Sequence, residues 1–189
     1  MNLLRLDWRY PLAPGVLLRA LEPGDAAALL KFERDNRAWF ERFIEPRGAF
    51  FYWPDGVQAH VQEFCAAMQS GQLLALLLEE DGAIIGRINL HGIARHSARI
   101  GYRQAQHACG RGLTSLAVAQ VCHWAQERLD LHNLRTWVVQ ENAASARVLH
   151  KNGFVLLRKG EKKTPLAHGQ AVCDGWWKLL QAHAGIRQV

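Results

Sequence analysis

Leu73 to Leu78 is an unbroken aliphatic run, followed by Asp81-Gly82 and then by a second largely apolar segment from Ala83 to Leu90. This arrangement constrains the fold more than any other feature of the chain. An Asp-Gly pair between two apolar runs reads as a two-residue hairpin turn. The run is also far too short to cross a bilayer, which takes about 20 apolar residues in a helix. The segment therefore predicts a strand from Leu73 to Glu79 and a returning strand from Ala83 to Leu90.

The rest of the chain supplies partners for that hairpin. Leu17 to Leu21 reads as a first strand. Asp25 is placed to cap a helix carrying Ala28, Leu29 and Phe32. A second helical stretch covers Asn36 to Ile44 and stops at Glu45-Pro46. Asp55 is a candidate cap for a third helix, in which Val57, Val61, Phe64, Cys65 and Met68 recur at helical spacing and which Gly71 ends. After the hairpin come a strand from Ala98 to Arg103 and a helix from Leu113, whose apolar stripe runs through Leu116, Ala117, Val121, Trp124, Ala125 and Leu129. A strand over Leu134–Gln140, a helix over Ala143–Asn152, a strand over Phe154–Arg158 and a last strand over Ala171–Leu180 complete the pattern. There is no repeat and no linker. The 189 residues fit one domain, read as α+β with a central, largely antiparallel sheet.

Composition narrows the class. Hydrophobic residues are 49% and charged residues 21%, which is ordinary for a globular chain and argues against disorder. Met1 to Val16 has no continuous apolar block, so no signal peptide is expected. Cys65, Cys109, Cys122 and Cys173 form no C-x-x-C pair and read as free thiols of a reducing compartment, hence a cytoplasmic protein. There are nine histidines but no H-E-x-x-H. His91 and His96 flank a turn and read as surface or loop residues, so no metal is expected. The net charge of +6 is compatible with nucleic acid, an anionic cofactor or a ribosomal surface. Its densest cluster, Arg158-Lys159 with Lys162-Lys163, reads as a solvated loop. No aromatic RNA-binding signature accompanies it, so direct nucleic-acid binding is not indicated.

Two constellations carry chemistry. The first is Cys109-Gly110-Arg111-Gly112-Leu113-Thr114, between a strand and a long amphipathic helix. Its glycines let the backbone turn tightly and approach a ligand, and the helix start offers unpaired N–H groups and a positive dipole end, suited to a phosphate or pyrophosphate. It is not a P-loop, lacking Gly-Lys-Ser/Thr, nor a dinucleotide fingerprint, lacking the third glycine. The second is Gln140-Glu141-Asn142-Ala143-Ala144-Ser145, followed by Asn152-Gly153-Phe154. Helix punctuation alone accounts for Asn142 as a cap and Gly153 as a left-handed stop. It leaves unexplained why this unit follows the glycine loop, helix and strand in that order.

That order resembles the GNAT acetyltransferases. Their pyrophosphate loop has the form Arg/Gln-x-x-Gly-x-Gly/Ala, and a following strand and helix carry Asn-x-x-Ser or Asn-x-x-Ala and then Gly-Phe. Cys109 and Thr114 depart from the loop pattern without removing backbone donors. Asn36-Arg37 with Glu45-Pro46-Arg47, and Ile100-Gly101-Tyr102, are similar to the ribosomal-protein N-terminal acetyltransferases of the RimJ/RimL type. The resemblance spans about Leu17 to Leu180 and implies a GNAT fold with a splayed strand pair for acetyl-CoA. It places the pantetheine arm along Ile100, Gly101, Tyr102, Arg103 and Gln104, and the pyrophosphate on the loop from Cys109 through Gly110, Arg111, Gly112 and Leu113 to Thr114. It makes Asn142 a cofactor contact, and Ser145 both a cofactor contact and the acid near the leaving thiolate. Many GNAT enzymes have a tyrosine where Leu149 stands. The activity implied is direct acetyl transfer to a primary amine, with a protein or peptide N-terminus as the expected acceptor and either a monomer or a homodimer as the assembly. A non-catalytic CoA-binding module is the alternative. Glu141, Glu161 and Glu33 are conceivable bases but read as surface carboxylates, and a bound water can serve instead.

Overall fold

The structure, a computed structural model, describes residues 1–180 apart from the side chain of Glu161. The expected domain over 1–189 thus includes a C-terminal segment, 181–189, outside the described residues. The described chain builds one eight-stranded sheet with the order β1-β2-β3-β4-β5-β6-β8-β7. Its strands are β1 (Tyr10–Ala13), β2 (Val16–Ala20), β3 (Leu73–Glu80), β4 (Ala83–Ala94), β5 (Ser97–Gln104), β6 (Asn133–Val139), β7 (Val155–Leu166) and β8 (Gly169–Leu179). The α-helices are α1 (Ala26–Asp35), α2 (Arg37–Phe40), α3 (Pro54–Gln69), α4 (Leu113–Glu127) and α5 (Ala143–Lys151). Among the described residues, no helix is long and apolar enough to cross a membrane.

The β3–β4 hairpin forms as its sequence demands. Asp81 and Gly82 both take positive φ, 49° and 80°, the conformation of a type I′ turn. Leu73 to Leu78 are all buried. Successive strand residues face opposite sides, so a run of buried ones requires cover on both faces. One helical layer is α1 and α3, packed on each other and on β4 and β3 respectively; the other is α4, packed on β1, β4, β5 and α5.

Several boundaries differ from the sequence reading. β1 was not anticipated, because Pro11 argues against a strand; the sheet tolerates it at an edge, where no donor is required. Asp25 sits at the cap position of α1 but makes no cap bond. Its carboxylate pairs with Arg19 at 2.8 Å and accepts from the Glu22 amide at 2.7 Å instead. α3 starts at Pro54, so Asp55 lies in its first turn and is not its cap. The stretch expected to be helical through Ile44 is α2 followed by a turn. The Arg158–Lys163 segment is part of β7 rather than a loop, with register shifts on either side of Arg158. β7 is the other sheet edge, where lysines protect exposed backbone groups from foreign strands.

All neighbouring strands are antiparallel except β5 and β6. That parallel pair is joined only through Ser97, Ala98 and Arg99. Beyond Arg99 the strands part, and among the described residues the edge of β5 from Ile100 to Gln104 has no ladder partner on the β6 side. The splayed pair expected from the family resemblance lies here.

Candidate active site

The loop after β5 turns twice through left-handed glycines, Gly110 at φ 82° and Gly112 at φ 77°, a region glycine enters without steric cost. Gly112 is the residue before α4. The first amide bonded within the helix is that of Leu116, which donates to the Gly112 carbonyl at 3.1 Å. The amides preceding it have no intrahelical partner and mark the positive end of the helix dipole. A Cβ built on either glycine meets nothing within 4 Å. The loop is open around both glycines, and its unpaired amides have the chemistry to hold an anionic group.

α5 faces this loop from across the splay. The Asn142 side chain accepts from the Ser145 amide at 3.0 Å and so caps α5. At the other end Asn152 donates to the Ser115 carbonyl and hydroxyl at 3.2 and 3.1 Å, tying α5 to the first turn of α4. Residues at the starts of both helices line one opening. The Ser145 hydroxyl takes no part in the cap. It lies 2.9 Å from the Tyr102 hydroxyl, which also donates to the Ser145 carbonyl at 3.2 Å. Burial pushes the Tyr102 phenol up to about 12, against a lowering by the Ser145 hydrogen bond. Tyr102 therefore stays protonated at neutral pH and can serve as a donor.

Two cavities meet at this point. The first, about 580 Å³, lies between the glycine loop and α5. Of the residues expected around the cofactor, it gathers Tyr102, Arg103 and Gln104 from β5, Cys109, Gly110, Gly112 and Thr114 from the loop, and Asn142 with Ser145 from α5. Thr114 Oγ1 donates to the side-chain carbonyl of Gln104, fixing the loop to the strand. Arg147 and Lys151, one helical turn apart on α5, add two cations to the same wall. The sequence reading passed over them, although a basic pair at this spacing after Asn142 was the available signal. Trp39, Phe43 and Ile44 roof the cavity.

The second cavity, about 390 Å³, lies on the far side and contains Ile100 and Gly101. Phe43, Ile44, Tyr102, Arg103, Asn142 and Ser145 line both cavities and form the neck between them. Two expected residues line neither. Leu113 is buried in the core, and Arg111 reaches away to Glu80, with contacts of 2.5 and 2.9 Å.

Of the candidate bases, one differs from expectation. Glu33 is not a surface carboxylate; it is fully buried and bridges Arg87 at 2.8 Å and Arg103 at 3.0 Å. Burial alone would raise its pKa, but Arg103, Arg87 and Arg47 together hold it below the usual range. A carboxylate so paired is a structural anion and a poor proton acceptor. Glu141 is exposed and lines the first cavity. The side chain of Glu161 lies outside what is described. His91 and His96 part company as well. His91 is half-buried on β4 and lines the second cavity, while His96 lies exposed in the β4–β5 turn, stacked on His132 at 4.3 Å.

This geometry agrees with what the chain is similar to. Residues 16–155 match the acetyltransferase (GNAT) domain family. "Probable N-acetyltransferase YjcK" of Bacillus subtilis is 30% identical over 174 residues, covering 89% of this chain and 92% of that protein. Among solved structures, the ribosomal-protein-S5-alanine acetyltransferase of Vibrio fischeri superposes with a TM-score of 0.83 at 20% identity, over 93% of this chain and 98% of that one. The spermidine N-acetyltransferase of Vibrio cholerae, in complex with CoA and spermine, gives 0.73 at 18% identity, over 89% and 97%. The fold, the two-ended site and the extent of the match together make this chain a member of the GNAT acetyltransferase family, an N-acetyltransferase with acetyl-CoA as its cosubstrate.

Proposed function

We propose that the protein moves the acetyl group of acetyl-CoA to the α-amino group of a peptide or protein N-terminus, with the cosubstrate in the first cavity and the amine entering from the second. The observation that carries this reading is the neck, where groups from β5 and α5 are reached from both sides. Acetyl-CoA supplies an activated thioester carbonyl when bound. The amides at the start of α4, with Arg147 and Lys151, hold the pyrophosphate, and the free edge of β5 from Ile100 to Gln104 aligns the pantetheine arm. Tyr102 and Ser145 form a hydroxyl pair that gives a proton to the departing sulfur. Fixing both reactants at the neck removes much of the entropic barrier to their encounter.

A protein acceptor is supported by the likeness to the S5-alanine acetyltransferase, and by an α-amine reference pKa of about 7.7–8.0, which leaves a sizeable neutral fraction without a strong base. A cytoplasmic setting belongs to the same reading and is supported by four unpaired cysteines. Incubation with acetyl-CoA and a peptide library, read by mass spectrometry, tests it: acetylated N-termini are expected. Modification of small amines alone, with every peptide untouched, overturns it.

A further inference from the structure

The second cavity is far more cationic than an amine-binding site needs to be. One face of the β4–β5 ladder sets Arg87 opposite Arg103, Asn89 opposite Gly101 and His91 opposite Arg99, and all of these line the cavity. Residues two apart on a strand share a face, and the missing side chain at Gly101 leaves a hollow between the arginines. Like charges directly opposite each other destabilise a sheet. Glu33 offsets one charge of the Arg87–Arg103 pair. Arg47 and Lys162 come to the same cavity from other parts of the chain, and the only carboxylate among its described lining residues is Glu45. Among the described residues, Arg47, Arg99 and Lys162 have no ion pair; the Arg47 guanidinium lies 3.9 Å from the Phe51 ring centre.

A second, independent observation points to a ligand. Arg87 Nε and Asn89 Oδ1 are buried and have no hydrogen-bond partner among the described residues. Their residues are only 2% and 7% exposed. Buried polar groups are nearly always satisfied, and each exception calls for an explanation. Here one is an unpaired donor and the other an unpaired acceptor, two residues apart on one face of β4. The chemistry that would satisfy the first is an anion, and that for the second an N–H donor such as an amine. The histidines report the same field: burial, with Arg87, Arg47 and Arg103, lowers His60 to about 2, and burial, with Arg99 and Arg87, lowers His91 to about 4.

We infer that the second cavity is an anion-recognising acceptor site, selecting a primary amine whose own molecule carries a carboxylate or phosphate near the amino group and rejecting polyamines. This rests on the proposed transfer at the neck. Arg103 lines both cavities, so the bound anion lies close to the reacting amine. The same cations disfavour a protonated amine beside them. They deliver the acceptor in its neutral, nucleophilic form, its proton passing to solvent, in a site where Glu33 is committed to arginines.

The test uses C-terminally amidated dipeptides beginning with Asp, phosphoserine, Asn or Lys, together with spermidine. Binding to the CoA-loaded protein is measured by calorimetry, and turnover with acetyl-CoA in parallel. The Asp or phosphoserine peptide should bind about 10- to 100-fold tighter than the Asn peptide, the scale of a charge-assisted hydrogen bond, and kcat/KM should follow. Whichever acidic peptide wins identifies the anion as carboxylate or phosphate. Arg47→Gln and Arg99→Gln, at partly exposed and exposed positions, should each cut that preference by about tenfold and leave CoA affinity unchanged. Equal or tighter binding of the Asn or Lys peptide or of spermidine, or no preference at all, overturns the inference, whereas acetylation of those same peptides would leave the transfer reading standing. Tight binding of an acidic peptide without acetylation of any peptide upholds the anion site and removes the transfer reading.

Discussion

Removing the two hydroxyls at the neck, singly and together, separates catalysis from packing. Ser145→Ala deletes a hydroxyl whose partner is the Tyr102 hydroxyl at 2.9 Å, while the cap of α5 survives because Asn142 bonds the Ser145 amide. Tyr102→Phe keeps the ring and loses that contact together with the 3.2 Å bond to the Ser145 carbonyl. Ser145→Ala should therefore cost about 0.5–1.5 kcal/mol of stability, the net worth of one hydrogen bond, and Tyr102→Phe up to about twice that. If the pair donates the proton to the leaving sulfur, each should lower kcat by about 10²–10⁴-fold, equivalent to about 3–5 kcal/mol in the barrier. Groups that act as one unit are not additive, so the double variant should be no slower than the slower single. The assay is release of the CoA thiol at saturating acetyl-CoA and peptide, with a denaturant melt on the same preparations. A kcat within threefold of wild type in both single variants, alongside a stability loss of about 1 kcal/mol, would refute the catalytic role and leave a structural contact.

Three further outcomes follow from the same geometry. Gly112→Val forces a β-branched residue to φ 77° and should cost about 1–2 kcal/mol from backbone strain alone, since a Cβ there touches nothing; calorimetry should also show weakened acetyl-CoA binding, and an unchanged melt and affinity would contradict the anion-holding role of the loop. Glu33→Gln leaves the buried Arg87 and the partly buried Arg103 without their shared anion and should destabilise by about 3–5 kcal/mol, read from denaturant midpoints; a loss below 1 kcal/mol would show that the arginines find other partners. His60 and His91, lowered to about 2 and about 4, are neutral in the fold, whereas the unfolded chain takes up protons near its ordinary histidine pKa of about 6.5. Their contribution is present above about pH 6.5 and is lost as pH falls from there, toward about 4 for His91 and about 2 for His60, by at most about 1.4 kcal/mol per pH unit for each proton. Melts at pH 7.5 and 5 check this, and His60→Gln should flatten the slope.

Local pattern determined much of the fold. The Asp81-Gly82 hairpin, the stop of α3 at Gly71 and the cap and terminator of α5 at Asn142 and Gly153 each depend on the dihedral preferences of a few neighbouring residues, so one sequence suffices to read them. The two glycines before α4 were legible for the same reason, since a left-handed turn leading into a helix is a local event. Strand β1 and the continuation of β7 beyond Arg158 were not legible, because Pro11 and the lysines of β7 are acceptable only at sheet edges, and edge position is a property of the whole sheet. Only the tertiary structure placed the Tyr102 hydroxyl on Ser145, 43 residues away, and Glu33 between arginines 54 and 70 residues distant. A carboxylate followed by Arg34 on an amphipathic helix looks solvent-facing from sequence. Whether it meets water or two guanidiniums depends on which strand packs against α1. The charge of the second cavity was hidden for the same reason: Arg47, Arg87, Arg99, Arg103 and Lys162 are spread over more than 100 residues, and it takes the β4–β5 register for Arg87, Arg99 and Arg103, with tertiary packing for Arg47 and Lys162, to line one cavity with them. Sequence thus determined the local turns and the order of elements, while non-local packing decided the electrostatics of the site, because charge interactions depend on distances in space that the chain's order does not contain.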